Sequence, residues 1–129
     1  MIKNGIINGD LASLLARFRH VNTIAIVDGP FPTYPNVETI DLALVMGTPT
    51  VSQVLDAILP HLDLTGMYLA AEFEAKVDAK IVSEYRKTIS HLPLNIIAHE
   101  DFKVKVGQTL GIIHTGDNVP YSSVILNCG

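Results

Sequence analysis

The chain has 129 residues, of which 48% are hydrophobic and 17% charged, and its formal net charge is −4. This length suits one domain with one substantial core. The nine basic residues are scattered along an acidic chain, which excludes the basic patch that nucleic-acid binding requires. No apolar run approaches the roughly 18 residues of a membrane span, and the first residues lack the apolar core of a signal peptide. We therefore expect a single cytoplasmic domain over residues 1–129, with neither nucleic acid nor a membrane as its partner.

The scarcity of charged residues predicts self-association, because a small monomer has to cover its surface with polar groups. Cys128 is the single cysteine and cannot form an internal disulfide. The sequence contains no CxxC pair, HExxH motif or Walker-type glycine loop. We expect a homo-oligomer that needs no metal and no cofactor.

The first predicted helix follows Asn8 and Asp10, either of which can cap it. Its apolar stripe has spacings of three and four residues and consists of Leu11, Leu14, Leu15 and Phe18. The helix leads to Arg19 and His20. A histidine therefore precedes the first predicted strand.

That strand covers residues 23–27 and is β-branched apart from Ala25, which is typical of a strand buried on both faces in a parallel sheet. Ligands of open α/β sheets collect beyond the carboxyl ends of the strands, and Asp28 falls there. The following loop holds three prolines in seven residues, with Phe31 and Tyr34 as aromatic faces. We expect a rigid loop beside a binding site.

The rest of the chain alternates between strand and helix patterns. Thr48 and Pro49 predict the N-cap and the first residue of a helix that ends near Pro60. Further strands are predicted over 40–45, 67–71, 94–98, 109–113 and 123–126, and further helices over 77–89 and from His99 onward. This order predicts an α/β fold: a three-layer α/β/α domain with a largely parallel, Rossmann-like sheet. The glycine fingerprint of dinucleotide binding is absent.

Five segments together resemble the D-ribose pyranase and fucose mutarotase family of small cytoplasmic sugar isomerases, over nearly the whole chain. They are the block from His20 to Asp28, Ile40-Asp41-Leu42-Ala43-Leu44 followed by Gly47-Thr48-Pro49, Gln53-Val54-Leu55-Asp56, His99-Glu100-Asp101-Phe102-Lys103, and Thr115-Gly116-Asp117-Asn118-Val119-Pro120-Tyr121. The ribose branch of the family matches better than the fucose branch.

The resemblance implies that His20 is a proton donor and that D-ribose, or another monosaccharide such as fucose, is the substrate. It also implies sugar contacts by Asp28, His99, Lys103 and the segment Tyr121, Ser122 and Ser123. Two positions depart from the family pattern. Ser123 stands where the family usually has asparagine, and Gly-Pro-Phe-Pro follows Asp28 in place of the commoner Ala-Gly-Leu-Pro.

The strand between His20 and Asp28 raises a geometric difficulty, because five extended residues span roughly 16 Å, more than one small sugar bridges. Either the chain folds back after His20, or a neighbouring subunit completes the site. We favour the second, in keeping with the ring-shaped oligomers, decamers included, that the resemblance implies. Two alternatives stay open: a non-catalytic sugar-binding accessory of ribose uptake, and a nucleotide-binding module.

Overall fold

A computed structural model describes residues 1–89 and 91–129, which form one six-stranded sheet with helices packed against it. In chain order, the elements are α1 (Gly9–Arg17), β1 (Thr23–Val27), β2 (Thr39–Asp41), α2 (Val51–Ile58), a 3₁₀ helix (Leu59–His61), β3 (Gly66–Ala70), α3 (Ala71–Lys76), α4 (Ala79–Ile89), β4 (Leu94–Ile97), α5 (His99–Val106), β5 (Gly111–His114) and β6 (Val124–Asn127). No helix in these two stretches of chain is long and apolar enough to cross a membrane.

The strand order is β2-β5-β1-β6-β3-β4. The pairs β2–β5, β5–β1 and β3–β4 are parallel, whereas β6 runs antiparallel to both of its neighbours, β1 and β3. The prediction of a largely parallel sheet is confirmed. Because of these directions, the carboxyl ends of five strands and the amino end of β6 lie at one edge of the sheet.

Alternate residues of β1 enter two different hydrophobic clusters, as the pleat of a strand requires. Ile24 and Ile26 pack into the cluster that contains the buried side chains of α1 and α2. Ala25 and Val27 pack on the opposite face, in the cluster that contains Phe102 of α5. Both faces of the sheet are therefore covered by helices, which confirms the three-layer prediction.

The predicted start of α2 was wrong by two residues. Thr50, not Thr48, is the N-cap: its hydroxyl accepts a hydrogen bond from the Gln53 N–H, and the Gln53 side chain accepts one from the Thr50 N–H. This capping box satisfies two backbone donors at once, which a cap at Thr48 would not. Thr48 instead closes a turn onto Val45, with Gly47 at a φ of 88°.

The second strand is shorter than the predicted stretch 40–45. It ends at Asp41, whose carboxylate accepts a hydrogen bond from the Ala43 N–H and so begins a turn. The residues that follow form an exposed loop rather than a strand, and Leu44, Val45 and Met46 are each more than half exposed. The short helix α3 is an addition, since no helix was predicted between the strand over 67–71 and the helix over 77–89.

Candidate functional site

The direction of β6 brings three of the predicted site residues, Asp28, His99 and Tyr121, to one edge of the sheet. Asp28 follows the carboxyl end of β1, and Tyr121 precedes the amino end of β6. Because β6 is antiparallel to β1, with Val124 opposite Ile26, these two ends are neighbours. His99 arrives from β4 as the first residue of α5, a helix whose buried side chains pack beneath β1.

A cavity of about 180 Å³ lies between these segments, which is enough for one small sugar. Its lining consists of Asp28, Pro30, Phe31, Pro32, His99, Pro120 and Tyr121. Several other cavities are larger. One of about 360 Å³ lies at the opposite edge, beside Asn22 and Asn127, and one of about 350 Å³ lies beside His114. We take the smaller cavity as the candidate site because three of the predicted residues meet there.

Asp28 is buried and held by Ser123. The Asp28 N–H donates to the Ser123 hydroxyl over 2.9 Å, and that hydroxyl donates to Asp28 Oδ2 over 3.3 Å. Burial and the nearby charge of Asp117 raise the pKa of Asp28, the hydrogen bond from Ser123 lowers it, and the net result is a pKa of about 6. The carboxylate is therefore largely ionised at neutral pH, yet it can be protonated in mild acid.

The backbone of His99 is held by hydrogen bonds, and its ring is surrounded by aromatic rings. Its N–H donates to both carboxylate oxygens of Glu72, at 3.0 and 3.1 Å, which caps the start of α5. The ring contacts three aromatic rings, those of Phe31, Phe102 and Tyr121. Burial lowers the pKa of His99, and the charge of Lys103 lowers it further. The charges of Glu72 and Glu100 raise it, but by less. The ring is thus neutral at pH 7, and its buried Nδ1 has no hydrogen-bond partner among the described residues.

Tyr121 forms the third wall of the cavity. Its ring meets that of His99 edge-on at a centroid distance of 5.0 Å, and Lys76 Nζ lies 5.8 Å from the Tyr121 centroid. The backbone of Tyr121 has a φ of 62°, which a residue with a large side chain rarely adopts. Strained backbone of this kind is concentrated at binding sites, which supports a functional role for this turn.

Three other predicted sugar contacts do not line the cavity. Ser122 and Ser123 are buried, with the Ser122 hydroxyl donating to the Val119 carbonyl over 2.8 Å. Lys103 forms an ion pair with Glu100 at 2.9 Å on the outer face of α5. Their assignment as direct sugar contacts stays a prediction, and the hydrogen bonds of Ser123 favour a supporting role for it instead.

His20 lies at the other edge of the sheet. It is exposed in a turn closed by a hydrogen bond from the Asn22 N–H to the Arg19 carbonyl, before β1 begins. Val21, beside it, has a φ of 63°, so this turn too is strained. The chain does not fold back after His20, and the whole of β1 separates it from Asp28. One subunit alone does not bring the predicted proton donor to the cavity.

A model of the RbsD / FucU transport protein family matches residues 1–129. The chain belongs to this family. D-ribose pyranases of Geobacillus thermodenitrificans and Thermosipho africanus are each 38% identical to it; the matches cover 100% of this chain and 97% and 98% of theirs.

Solved structures agree with the family assignment. The structure of Bacillus subtilis RbsD complexed with D-ribose has a TM-score of 0.91 and 29% identity, covering 100% of this chain and 98% of that one. A fucose mutarotase from Streptococcus pneumoniae in complex with L-fucose has a TM-score of 0.83 and 22% identity, covering 99% and 98%. The second likeness shows a common fold alone. The resemblance inferred from the sequence is confirmed.

Two further residues support the site in this RbsD / FucU family member, and sequence reasoning missed both roles. Asp117 is buried and its carboxylate accepts hydrogen bonds from the Val51 N–H, the Tyr85 hydroxyl and the Val119 N–H. His114 lies between Asp41 and the Gly29 carbonyl. Asp117 lies in the segment from Thr115 to Tyr121 that carries the resemblance, and His114 directly precedes it; the burial of this polar segment was the missing signal. In residues 1–89 and 91–129, no group of three or more His, Cys, Asp or Glu side chains could hold a metal ion.

Proposed function

We propose that this chain is a D-ribose pyranase, an isomerase that interconverts the pyranose and furanose forms of D-ribose by opening and reclosing the ring. The observation that carries the proposal is the cavity where Asp28, His99 and Tyr121 meet, in a chain similar over its full length to D-ribose pyranases. D-ribose is favoured over fucose because the relatives with the higher identity are named D-ribose pyranases, and the structure with the higher TM-score is a complex with D-ribose.

The reaction needs acid–base chemistry. When the hemiacetal opens, the ring oxygen gains a proton, the anomeric hydroxyl loses one, and the bond between C1 and the ring oxygen breaks. Reclosure through a different hydroxyl reverses these transfers. Nothing is oxidised or reduced. A histidine, with an ordinary pKa of roughly 6.5, exchanges protons both ways near neutral pH, and such a group typically contributes about 10²- to 10⁴-fold in rate.

The cavity offers the contacts that hold a sugar. The Asp28 carboxylate, ionised above a pKa of about 6, accepts hydrogen bonds from sugar hydroxyls. The neutral ring of His99 can donate or accept. The rings of Phe31 and Tyr121 provide flat apolar surfaces for sugar C–H groups. Ser123 holds Asp28 in place for this role.

His20 supplies the proton from a neighbouring subunit in this proposal. Two observations support it: His20 is exposed, and it stands at the opposite edge of the sheet from Asp28. The site then forms between copies, and the active species is a homo-oligomer, for which we propose a ring-based decamer. Light scattering or native mass spectrometry gives the subunit number. A monomer that keeps full activity on dilution would contradict the shared site.

Saturation transfer NMR tests the catalytic proposal directly, because it measures exchange between the ring forms of D-ribose at equilibrium. We expect the wild type to accelerate this exchange and His20→Ala to lose about 10²- to 10⁴-fold of the acceleration while still binding ribose. His61→Ala is the matched control, since His61 is also exposed but lies in the 3₁₀ helix after α2. Unchanged exchange in His20→Ala would move the proton donor elsewhere.

A second candidate is a non-catalytic sugar-binding accessory of ribose uptake, which the description of the family as one of transport proteins favours. The same experiment separates the two functions. A protein that only binds ribose shifts the resonances of the sugar and leaves the exchange rates between ring forms at their values in buffer. Acceleration by the wild type eliminates this candidate.

The extent and location of the functional unit are part of the proposal. We take residues 1–129 as a single sugar mutarotase domain, which the match of the family over the same residues supports. We expect it in the cytoplasm, where it would supply the ring form used in ribose catabolism. Fractionation of cells that express the natural gene, with enzyme markers for each compartment, tests the location.

A further inference from the structure

His114 stands between two hydrogen-bond acceptors at the edge that carries the candidate site. Its Nδ1 lies 2.8 Å from Asp41 Oδ1, and its Nε2 lies 2.9 Å from the Gly29 carbonyl oxygen. His114 and Asp41 are the last residues of the paired strands β5 and β2, and they are opposite each other in the register. The parallel ladder itself therefore fixes this contact.

Both partners of the ring are acceptors, and this decides its protonation. A neutral imidazole carries one N–H and can donate to only one of them, whereas an imidazolium donates to both. A neutral ring would leave a lone pair facing either the carboxylate or the carbonyl oxygen. The observed geometry is therefore that of protonated His114.

The charges around His114 agree with this geometry. Burial lowers the pKa of His114, but the hydrogen bonds to Gly29 and Asp41 and the charges of Asp41 and Asp28 outweigh it, so the pKa lies above the ordinary 6.5. Among the described residues, Asp41 at the end of β2 and Asp28 after β1 are the charged groups acting on the ring. The hydrogen bond with His114 in turn lowers the pKa of Asp41.

The carbonyl that His114 binds belongs to the residue directly after Asp28. The Gly29 N–H donates to the Asp117 carbonyl over 2.7 Å, so the two hydrogen bonds hold Gly29 from both sides. A Cβ atom at this position would lie 3.2 Å from the same Asp117 oxygen, so the chain packs tightly around Gly29. Gly29 leads into Pro30, Phe31 and Pro32, all of which line the candidate cavity.

We propose that protonated His114 is a positioning residue, a clamp on Gly29 that holds the Asp28 carboxylate and the Phe31 ring in the arrangement that binds the sugar. Loss of the proton releases either the Gly29 carbonyl or Asp41, and the loop after β1 loosens. Sugar affinity then falls, while proton transfer from His20 is unaffected. The assignment of ribose as the ligand rests on the function proposed above; the clamp itself does not.

The direction of the pH effect follows from the two titrating groups. Ribose affinity rises as Asp28 ionises, around pH 6. It falls again as pH rises through the pKa of His114, which lies above 6.5. We expect a loss of about tenfold on the alkaline side, the order that one hydrogen bond to a charged group contributes.

The test combines ribose binding with NMR of the ligand-free protein between pH 5.5 and 9. Wild type should lose about tenfold in affinity across the measured His114 titration, and at each pH its exchange rate at saturating ribose should match that of His114→Gln. His114→Arg should keep high affinity at alkaline pH, because arginine is always charged and has several donors. The adjoining cavity of about 350 Å³ has room for the larger side chain.

His114→Gln should bind weakly at every pH and lack the alkaline decline. His61→Gln is the matched control and should follow the wild type. Identical pH profiles for wild type and His114→Gln, or a His114 pKa at or below 6.5, would overturn the clamp. If wild type binds no ribose at any pH, the proposed function fails. The clamp is then judged by the Gly29 amide resonance, which should shift with pH alongside the His114 titration in wild type. The same shift should be missing in His114→Arg.

Discussion

The Asp28 carboxylate and the Ser123 hydroxyl form one buried unit that joins residues far apart in the chain. The hydroxyl both accepts from the Asp28 backbone and donates to its side chain. A buried carboxylate that accepts such a hydrogen bond is easier to ionise than one without it. Ser123 therefore acts on Asp28 through both the carboxylate and the backbone N–H.

Substituting Ser123 by alanine should weaken this unit in a way that depends on pH. Without the hydroxyl, the pKa of Asp28 should rise above about 6, and the acidic limb of ribose binding should move to higher pH. The unsatisfied Asp28 N–H should also cost about 1–3 kcal/mol of stability. Calorimetric titrations at several pH values, together with urea unfolding, measure both effects.

Thr109→Ala is a suitable control for that experiment, because it also deletes a buried hydroxyl bonded within the chain, that of Thr109 to the Val106 carbonyl, away from the cavity. It should lower stability without moving the pH dependence of binding. An unshifted acidic limb in Ser123→Ala would show that Ser123 does not tune Asp28.

Among the secondary-structure elements, α2 depends on a carboxylate supplied by a distant loop. Asp117 Oδ2 accepts hydrogen bonds from the N–H of Val51, the first residue of α2, and from the hydroxyl of Tyr85 in α4. Its Oδ1 accepts one from the Val119 N–H. A negative charge at the amino end of a helix is also favoured by the helix dipole. Burial and Asp117 together raise the pKa of Tyr85, which stays protonated as a donor.

Asp117→Asn should destabilise the protein by about 2–4 kcal/mol. Both oxygens of Asp117 accept hydrogen bonds, so the NH₂ group of asparagine would replace one acceptor and leave at least one buried N–H or O–H without a partner. Tyr85→Phe removes a single donor and should cost about 1 kcal/mol. Asp56→Asn, at an exposed position on α2, is the control and should change the stability little. Urea unfolding measures all three, and equal losses in Asp117→Asn and Asp56→Asn would contradict the network.

The sequence predicted most elements because their apolar periodicity is local. The start of α2 was misplaced because Thr48 and Thr50 both look like caps, and only the Gln53 side chain decides between them. Asp28, His99 and Tyr121 were predicted from strand ends and from the resemblance. The roles of Ser123 and His114 were not, because each depends on pairing between segments more than 70 residues apart. Such pairing leaves no periodic signal.

At the scale of the whole molecule, the predicted proton donor and the cavity face opposite edges of the sheet. A site that uses both has to be assembled from two copies, as happens when one surface of a subunit meets a different surface of the next and the arrangement closes into a ring. The exposed apolar loop of Leu44, Val45 and Met46 borders the cavity edge beside Gly29 and His114, and gives this edge contact surface for a neighbour.

Mixing two inactive variants tests the shared site. His20→Ala and Asp28→Asn should each be nearly inactive alone. After the two are unfolded together and refolded at equal amounts, about a quarter of the sites in mixed rings should contain both native residues and recover activity. Activity that stays at the level of the separate variants, in oligomers shown by mass spectrometry to be mixed, would mean that both residues act within one chain.

The reversed direction of β6 has a mechanical consequence for such an assembly. The strand directly follows Ser123, which holds Asp28, and leads into Cys128, whose carbonyl accepts a hydrogen bond from the Val21 N–H beside His20. In the proposed shared site, this one strand therefore connects the cavity of a subunit to the His20 ring that the same subunit supplies to its neighbour. In the proposed ring, a shift of β6 on sugar binding in one pocket would also move His20 at the next site, so we expect the sites to bind sugar cooperatively.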